Sequence, residues 1–369
     1  MTENLSGNVA VTALPTPLAS LISSGAGAPH LVDFHSALTP QAFDAPADEI
    51  AALTRGSAAH DLGWMRRVSV RGKDRFRWLS GMVSNTVKDL PENGGAWNFV
   101  LNAQGRIQGD LTVWREGDEL ELEIAADQYE KLMAHLDHFI IMDDVDLVTL
   151  DPAAETAVGL AGKQARDVLA RMGLPVPAEP MTWLRVEWNG IDLRIRHGYG
   201  ALVDHFELWT PQSGLALLWR ALSTAGASPV GSRALEALRI VEGIPVYGID
   251  IAERDLPQET SQLRALHFSK GCYLGQEIVE RIRSRGNVHR HLRQIELEGP
   301  LPLAGTELSL ADASVGQITS SAELPTEAGK RSFAIALVRA EAELKKQPLT
   351  YVAGSVTFEA KILEAPPAL

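Results

Sequence analysis

The chain has 369 residues, a formal net charge of -13, 45% hydrophobic and 22% charged residues, and one cysteine. These are the proportions of an ordinary globular protein with room for more than one core, since single cores stop growing near about 250–300 residues. One thiol excludes an intrachain disulfide and cannot by itself build a zinc or iron–sulfur site, and the acidity argues against wholesale binding to nucleic acid or anionic membrane.

Residues 1–44 are rich in Ala, Ser, Thr, Pro and Gly, and the first basic residue is Arg55. A secretory leader needs a positive start and a mitochondrial one needs arginines, so the segment reads as a mobile tail. No apolar run approaches the ~18 residues that cross a bilayer, and a reducing cytoplasm is the expected compartment. In "GRIQGDLTVWREGD", Ile107, Leu111 and Val113 fall on one side of a strand and Gln108, Asp110 and Thr112 on the other. "DELELEIAA" alternates Glu119, Glu121 and Glu123 with Leu120, Leu122 and Ile124, a strand with one wet face. Leu132, Leu136, Phe139 and Ile140 recur at helical spacing over residues 127–142, and residues 163–173 form a short helix closed by Gly173. A further helix opens with Ser232 as N-cap and stops at Gly243-Ile-Pro245. Beyond residue 292 the helical signal fades. Residues 293–299, 314–321, 331–340 and 355–363 look like short antiparallel strands of a small barrel or sandwich.

His135 and His138 lie three apart near Asp143 and Asp144, but Leu132 and Leu136 share the face and no second ligand pair follows. They read as core-edge and surface histidines. P-loop, HExxH and GxSxG motifs are absent from the sequence. The distinctive stretch is "FSKGCYLGQEIVERIRSRG", residues 268–286. A cysteine without context is usually a small buried hydrophobe. Here Gly271 and Gly275 bracket Cys272 and permit close approach of backbone or ligand, while Lys270, Arg281 and Arg285 are placed to lower a thiol pKa from about 8.5. Five arginines between residues 281 and 293 read as a solvated basic face or as a dock for an anion: a polyglutamate tail, a phosphate or RNA.

"KGCYLGQE" followed by "VERIRSRG" resembles the signature of the YgfZ family of folate-binding, iron–sulfur-related proteins. That family is a branch of the fold of the glycine-cleavage aminomethyltransferase (T-protein). "LNAQGRIQGDL", "VGSRALEALRIVEGIPVYGIDI" and "VGQITSSAELP" are similar to further segments of the same fold, so the likeness covers roughly residues 44 to 363. It implies an α+β chain in a three-domain cloverleaf, with tetrahydrofolate or a one-carbon derivative in the central hole and a small antiparallel C-terminal β-barrel. The expected division is a tail over 1–44, a first α+β portion over 45–148, a second over 149–291 carrying the motif, and the barrel-like domain over 292–369.

The resemblance also implies a site. Asp110 falls on the second of the T-protein's two adjacent aspartates, whose first is Gly109 here. Glu207, in "RHGYGALVDHFELW", is the candidate to grip the pterin edge. Arg233 and Arg239 match the two arginines of A-R-D-x-L-R and either hold a folate carboxylate or pair internally with Glu236 or Glu242. Tyr247 lines the pocket or packs. Cys272 is the implied reactive or transient cluster-contacting thiolate, biased by Lys270 and Arg281, with Gly271, Tyr273, Gly275, Gln276 and Glu277 shaping its loop. The function implied is a folate-dependent factor for assembly or repair of iron–sulfur clusters, acting with iron–sulfur enzymes or cluster carriers and only indirectly on tRNA thiomethylation. No membrane, no strong nucleic-acid contact and no stably bound metal are expected, since a lone cysteine would share any cluster with a second protein. Two alternatives stand beside it. One is an aminomethyltransferase forming methylenetetrahydrofolate, dependent on Asp110 and not on Cys272. The other is a folate-binding interaction module in which Cys272 only packs. Catalytic and non-catalytic readings both fit the sequence.

Overall fold

The computed structural model describes residues 13–23, 27–286, 288–326 and 329–368. A first sheet runs, in spatial order, Gly95–Leu101, Ile107–Glu116, Glu119–Ala125, Met65–Arg71 and Asp146–Thr149. Strand alternation turns Leu111, Val113, Leu120 and Leu122 toward helices Arg75–Met82 and Ala126–Asp137, forming one core. The second of these helices ends at Asp137, five residues short of the sequence expectation. The chain turns there because the Trp78 indole holds the Phe139 carbonyl and Arg77 pairs with Asp143, leaving Ile141 and Met142 exposed.

A second sheet runs Thr182–Trp188, Ile191–His197, Asp204–Pro211, Glu155–Gly162, Ala58–Asp61 and Ser228–Pro229. Helices Ala165–Arg171 and Leu215–Thr224 cover its apolar face through Leu169, Leu218 and Leu222. Ala58–Asp61 precedes the first sheet in the chain yet belongs to the second, so the sheets do not follow the divisions at 45–148 and 149–291. Helix Ser232–Glu242 closes on Gly243 at φ 69°, the left-handed cap expected there. Its start shifts by one residue: Gly231 is the cap position, and the Ser232 side chain makes no capping bond.

The tail expected over residues 1–44 is corrected wherever it is described. Leu14–Pro15, Ala37–Pro40 and Leu31–Phe34 form a three-stranded sheet beside helix Pro17–Ile22. Leu18 is fully buried, and the Thr16 hydroxyl donates to buried Asp61. This segment is held by packing on the second sheet, not by a periodicity of its own. Residues 1–12 and 24–26 lie outside the described residues. At the other end six antiparallel strands close into a barrel, in the order Arg290–Leu297, Gly329–Arg339, Ala313–Thr326, Glu307–Leu310, Leu349–Ala353 and Val356–Ile362. Ile295, Leu308, Ile318 and Tyr351 fill it. Among the described residues no helix is long and apolar enough to cross a membrane.

Candidate functional site

A cavity of about 260 Å³ opens where the two sheets, the N-terminal hairpin and the chain after helix Ser232–Glu242 meet. Trp97, Trp114, Tyr199 and Tyr247 give it aromatic walls, and Asp110, Glu123, Glu207, His35 and Arg264 give it charge and hydrogen-bonding groups. Because Leu111 and Val113 face the helical layer, Asp110 and Thr112 face the cavity. The Trp97 indole donates to Asp110 Oδ2 at 2.7 Å and Gln128 Nε2 to Oδ1 at 3.0 Å. Burial raises the Asp110 carboxyl above the ordinary aspartate range, against the lowering effect of those two donors. At Gly109 a Cβ would fall 2.8 Å from both Gln128 Oε1 and Leu132 Cδ2. A second aspartate at that position would displace the residue that holds the first.

Glu207 stands on strand Asp204–Pro211 and meets Glu123 of the first sheet. Burial, and then the Glu123 carboxylate, push Glu207 well above the usual range, while Trp209 Nε1 donates to it at 3.0 Å. Arg196 binds Glu121 and Glu123 and lies 4.9 Å from the centre of the Trp114 ring. The expected wet face of "DELELEIAA" is therefore corrected beyond Glu119: Glu121 and Glu123 turn into an interior network with Arg67, Arg194 and Arg196, because strand Ile191–His197 is apposed to them. Glu123 is only 3% exposed.

Tyr247 lines the cavity, and its hydroxyl accepts a hydrogen bond from Lys131 Nζ at 2.7 Å. Arg233 and Arg239 are placed elsewhere. Arg233 is exposed on a separate cleft, and Arg239 is held by Glu236 and by Asp250 at 2.6 Å, tying its helix to the barrel. The sequence pattern singles out neither the aromatic lining, Trp64, Trp97, Trp114 and Tyr199, nor Gln128, His35 and Arg264. His35 comes from the N-terminal hairpin, with Nδ1 2.9 Å from Asp127 and its ring stacked on Trp64 at 4.4 Å. Arg264 is sandwiched between Trp97 at 4.5 Å and Tyr199 at 3.6 Å.

The motif loop lies outside the cavity. Cys272 is exposed and is not among the cavity's lining residues. Lys270 does not support the thiol through a hydrogen bond; its ammonium donates to the carbonyls of Val83 at 2.7 Å and Asn85 at 2.5 Å. Burial lowers its pKa to about 7, with Lys88 adding to the effect. Tyr273 is buried in the core between the sheets, and burial raises its phenol to about 12. Gly275, at φ 80°, backs against Asn102 and Gly105 and starts helix Gln276–Arg285. Gln276 is the first residue of that helix. Glu277 is exposed and pairs with Arg281 one turn on, at 2.8 Å. Among the described side chains the arginine stretch is no open basic field: Arg283 pairs with Glu280, Arg290 with Asp255 and Glu259, and Arg293 with Glu343.

The family model described as "GCVT N-terminal domain" matches residues 23–270, more than half of the chain. The chain belongs to the GCVT family. A second model, "CAF17, C-terminal beta-barrel domain", matches residues 289–367, and this pairing is that of the YgfZ branch. The aminomethyltransferase of Thermoanaerobacter pseudethanolicus is 24% identical over 333 residues, covering 88% of this chain and 89% of that protein. That of Stenotrophomonas maltophilia is 27% identical over 316 residues, covering 82% and 84%. The solved glycine cleavage system aminomethyltransferase T from Bartonella henselae superposes with a TM-score of 0.84 at 19% identity, covering 96% of this chain and 98% of that one. The fold is the aminomethyltransferase-like cloverleaf with a closed C-terminal barrel. Within the GCVT frame, the junction between the two matched segments, residues 271–288, holds Cys272 and helix Gln276–Arg285.

Proposed function

We propose that this protein binds a reduced folate in the central cavity and serves the assembly or repair of iron–sulfur clusters in the cytoplasm, with Cys272 as the thiol that meets a cluster enzyme or carrier. The observation that supports the reading is the separation of two features on one frame: an aromatic, carboxyl-bearing cavity inside, and a lone exposed thiol on an anchored loop outside. Tetrahydrofolate fits the donor set. Trp97, Trp114 and Tyr199 offer flat surfaces for a pterin, and the Asp110 and Glu207 carboxyls would accept from its amine and amide protons. When bound, the folate supplies one-carbon chemistry; the chain's own groups orient it and hold protons at Asp110 and Glu207. A client's cluster would be shared between Cys272 and the partner, and effects on tRNA modification follow from clients that carry clusters.

The aminomethyltransferase reading has one observation in its favour, Asp110 in the cavity, and one against it, the closed space at Gly109. Cells carrying Cys272→Ser as the sole copy distinguish the readings. Cluster-dependent dehydratase activity should fall several-fold in aerobic growth, while the purified variant binds tetrahydrofolate as before. Undiminished dehydratase activity in those cells would overturn the cluster role. Methylenetetrahydrofolate formed from an aminomethylated lipoyl carrier, lost in Asp110→Asn and kept in Cys272→Ser, would establish the transferase instead.

A further inference from the structure

Arg264 differs from the interior arginines held in ion pairs, and from Arg66 and Arg115, whose guanidinium groups donate to backbone carbonyls. Arg67, Arg196 and Arg239 each contact a carboxylate, as does half-buried Arg290. Arg264 has no carboxylate at ion-pair distance among the described residues; its one side-chain bond runs from Nε to Gln262 Oε1 at 3.1 Å. Burial lowers its pKa to about 10, a direction that an adjacent carboxylate would oppose. Both faces of the guanidinium are covered, by the Trp97 and Tyr199 rings at 4.5 and 3.6 Å, so its remaining N–H groups project only in its own plane. A planar cation held on both faces with a free edge is arranged to receive a carboxylate.

What lies beside that edge is a second cavity of about 400 Å³, at the seam between the GCVT body and the barrel. It shares Tyr199, Ile244 and Arg264 with the central cavity, so Arg264 stands in the wall between the two. Two acids line the seam: Glu242 is already satisfied, accepting from Leu202 N at 2.9 Å, Val203 N at 3.3 Å and His205 at 2.9 Å, and Glu364 is exposed to solvent beside Ala365. Arg293, on the far side, is neutralised by Glu343. The cation in the dividing wall therefore feels Asp110 and Glu242 at a distance but has no carboxylate in contact.

We propose that Arg264 seats a carboxylate of the ligand whose ring system occupies the central cavity, and that the seam cavity takes the anionic extension beyond it, so that the preferred ligand is an oligo-γ-glutamyl folate. This inference rests on the folate reading given above and adds to it a specific seat and a direction for the tail. Neither Arg233 nor Arg239 occupies that position, as the first is on another cleft and the second is bonded to Glu236 and Asp250.

The test is equilibrium binding to the full chain, under anaerobic conditions, of three probes: 6-methyltetrahydropterin, which has no carboxylate, tetrahydrofolate, and tetrahydrofolate triglutamate. The wild type should rank them in rising affinity in that order. Arg264→Gln should weaken tetrahydrofolate by about tenfold or more, the scale of a lost charge-assisted hydrogen bond, and weaken the tetrahydropterin, which lacks the carboxylate, by much less. An unchanged melting temperature shows that the variant is folded. Ala365→Trp, on the exposed wall of the seam cavity, should remove the advantage of the triglutamate and spare the monoglutamate. Equal tetrahydrofolate affinity in wild type and Arg264→Gln would make Arg264 a packing residue and overturn the seat. A wild type that binds the triglutamate no better than the monoglutamate would overturn the tail site alone. A wild type that binds none of the three would remove the folate reading, and this inference with it.

Discussion

Lys270 carries an ammonium into a place with little water and no acid beside it, held by two backbone carbonyls. Burial, helped by Lys88, sets its folded pKa near about 7 against 10.5 in the unfolded chain. Between those values the folded state holds fewer protons than the unfolded one, so this group makes the protein more stable as pH rises through the window. Lys270→Met removes that slope and leaves the Val83 and Asn85 carbonyls without their donor, at a cost of about 1–3 kcal/mol. Urea melts at pH 6.5 and pH 9 should therefore differ more between wild type and variant at the higher pH; an equal difference at both would show that Lys270 titrates normally. Site-resolved amine labelling gives the independent check, with a midpoint for Lys270 near pH 7.

At the scale of elements, the motif loop is fixed to the first sheet by a contact between two turns. Gly275 and Gly105 both have positive φ, 80° and 70°, and a Cβ on Gly275 would fall 2.6 Å from Asn102 O and 2.9 Å from Gly105 Cα. Gly271, four residues earlier, has nothing within 4 Å of its Cβ position. The two glycines of one motif should thus respond oppositely. Gly275→Ala should lower stability by about 2–4 kcal/mol, combining left-handed strain with backbone overlap, whereas Gly271→Ala should stay within about 0.5 kcal/mol. Equal melting of the two variants would mean that the turns do not touch in solution. This contrast also shows what the sequence carries. The strand of Asp110 was legible because its alternation is intrinsic, and Gly243 was legible because a helix stop is local chemistry. For Arg239 the sequence left two roles open, and the internal pair with Glu236 is the one that holds; the approach of Asp250 and Ser320, which no local pattern shows, completes its surroundings. The same holds for Glu121 and Glu123, whose alternation looks solvent-facing until the arginines of a distant strand cover them.

Across the whole molecule, the N-terminal segment acts as a clasp. It buries Leu18 under the second sheet, and the Thr16 hydroxyl donates to Asp61, whose carboxyl burial raises to about 6. The Gln41 carbonyl accepts the Arg233 amide at 3.2 Å, joining the clasp to helix Ser232–Glu242. Between these anchors the hairpin brings His35 to the cavity wall, stacked on Trp64. No periodicity announces this segment, since its order comes from surfaces distant in the chain. Its two ends should separate by mutation. Leu18→Asp buries an unpaired charge in place of an apolar side chain and should lower the melting temperature by several degrees or more, with stability falling by about 3 kcal/mol or more. His35→Ala leaves that core intact and should hold the melting temperature nearly constant while weakening tetrahydrofolate about three- to tenfold, through loss of a stacked wall residue. Calorimetry and folate titration on the same two proteins read both effects. If His35→Ala binds tetrahydrofolate as tightly as the wild type, the clasp supports the fold alone and the ligand lies wholly between the two sheets. If it weakens binding at constant melting temperature, the N-terminal segment is part of the site, and the cavity is complete only when it is docked.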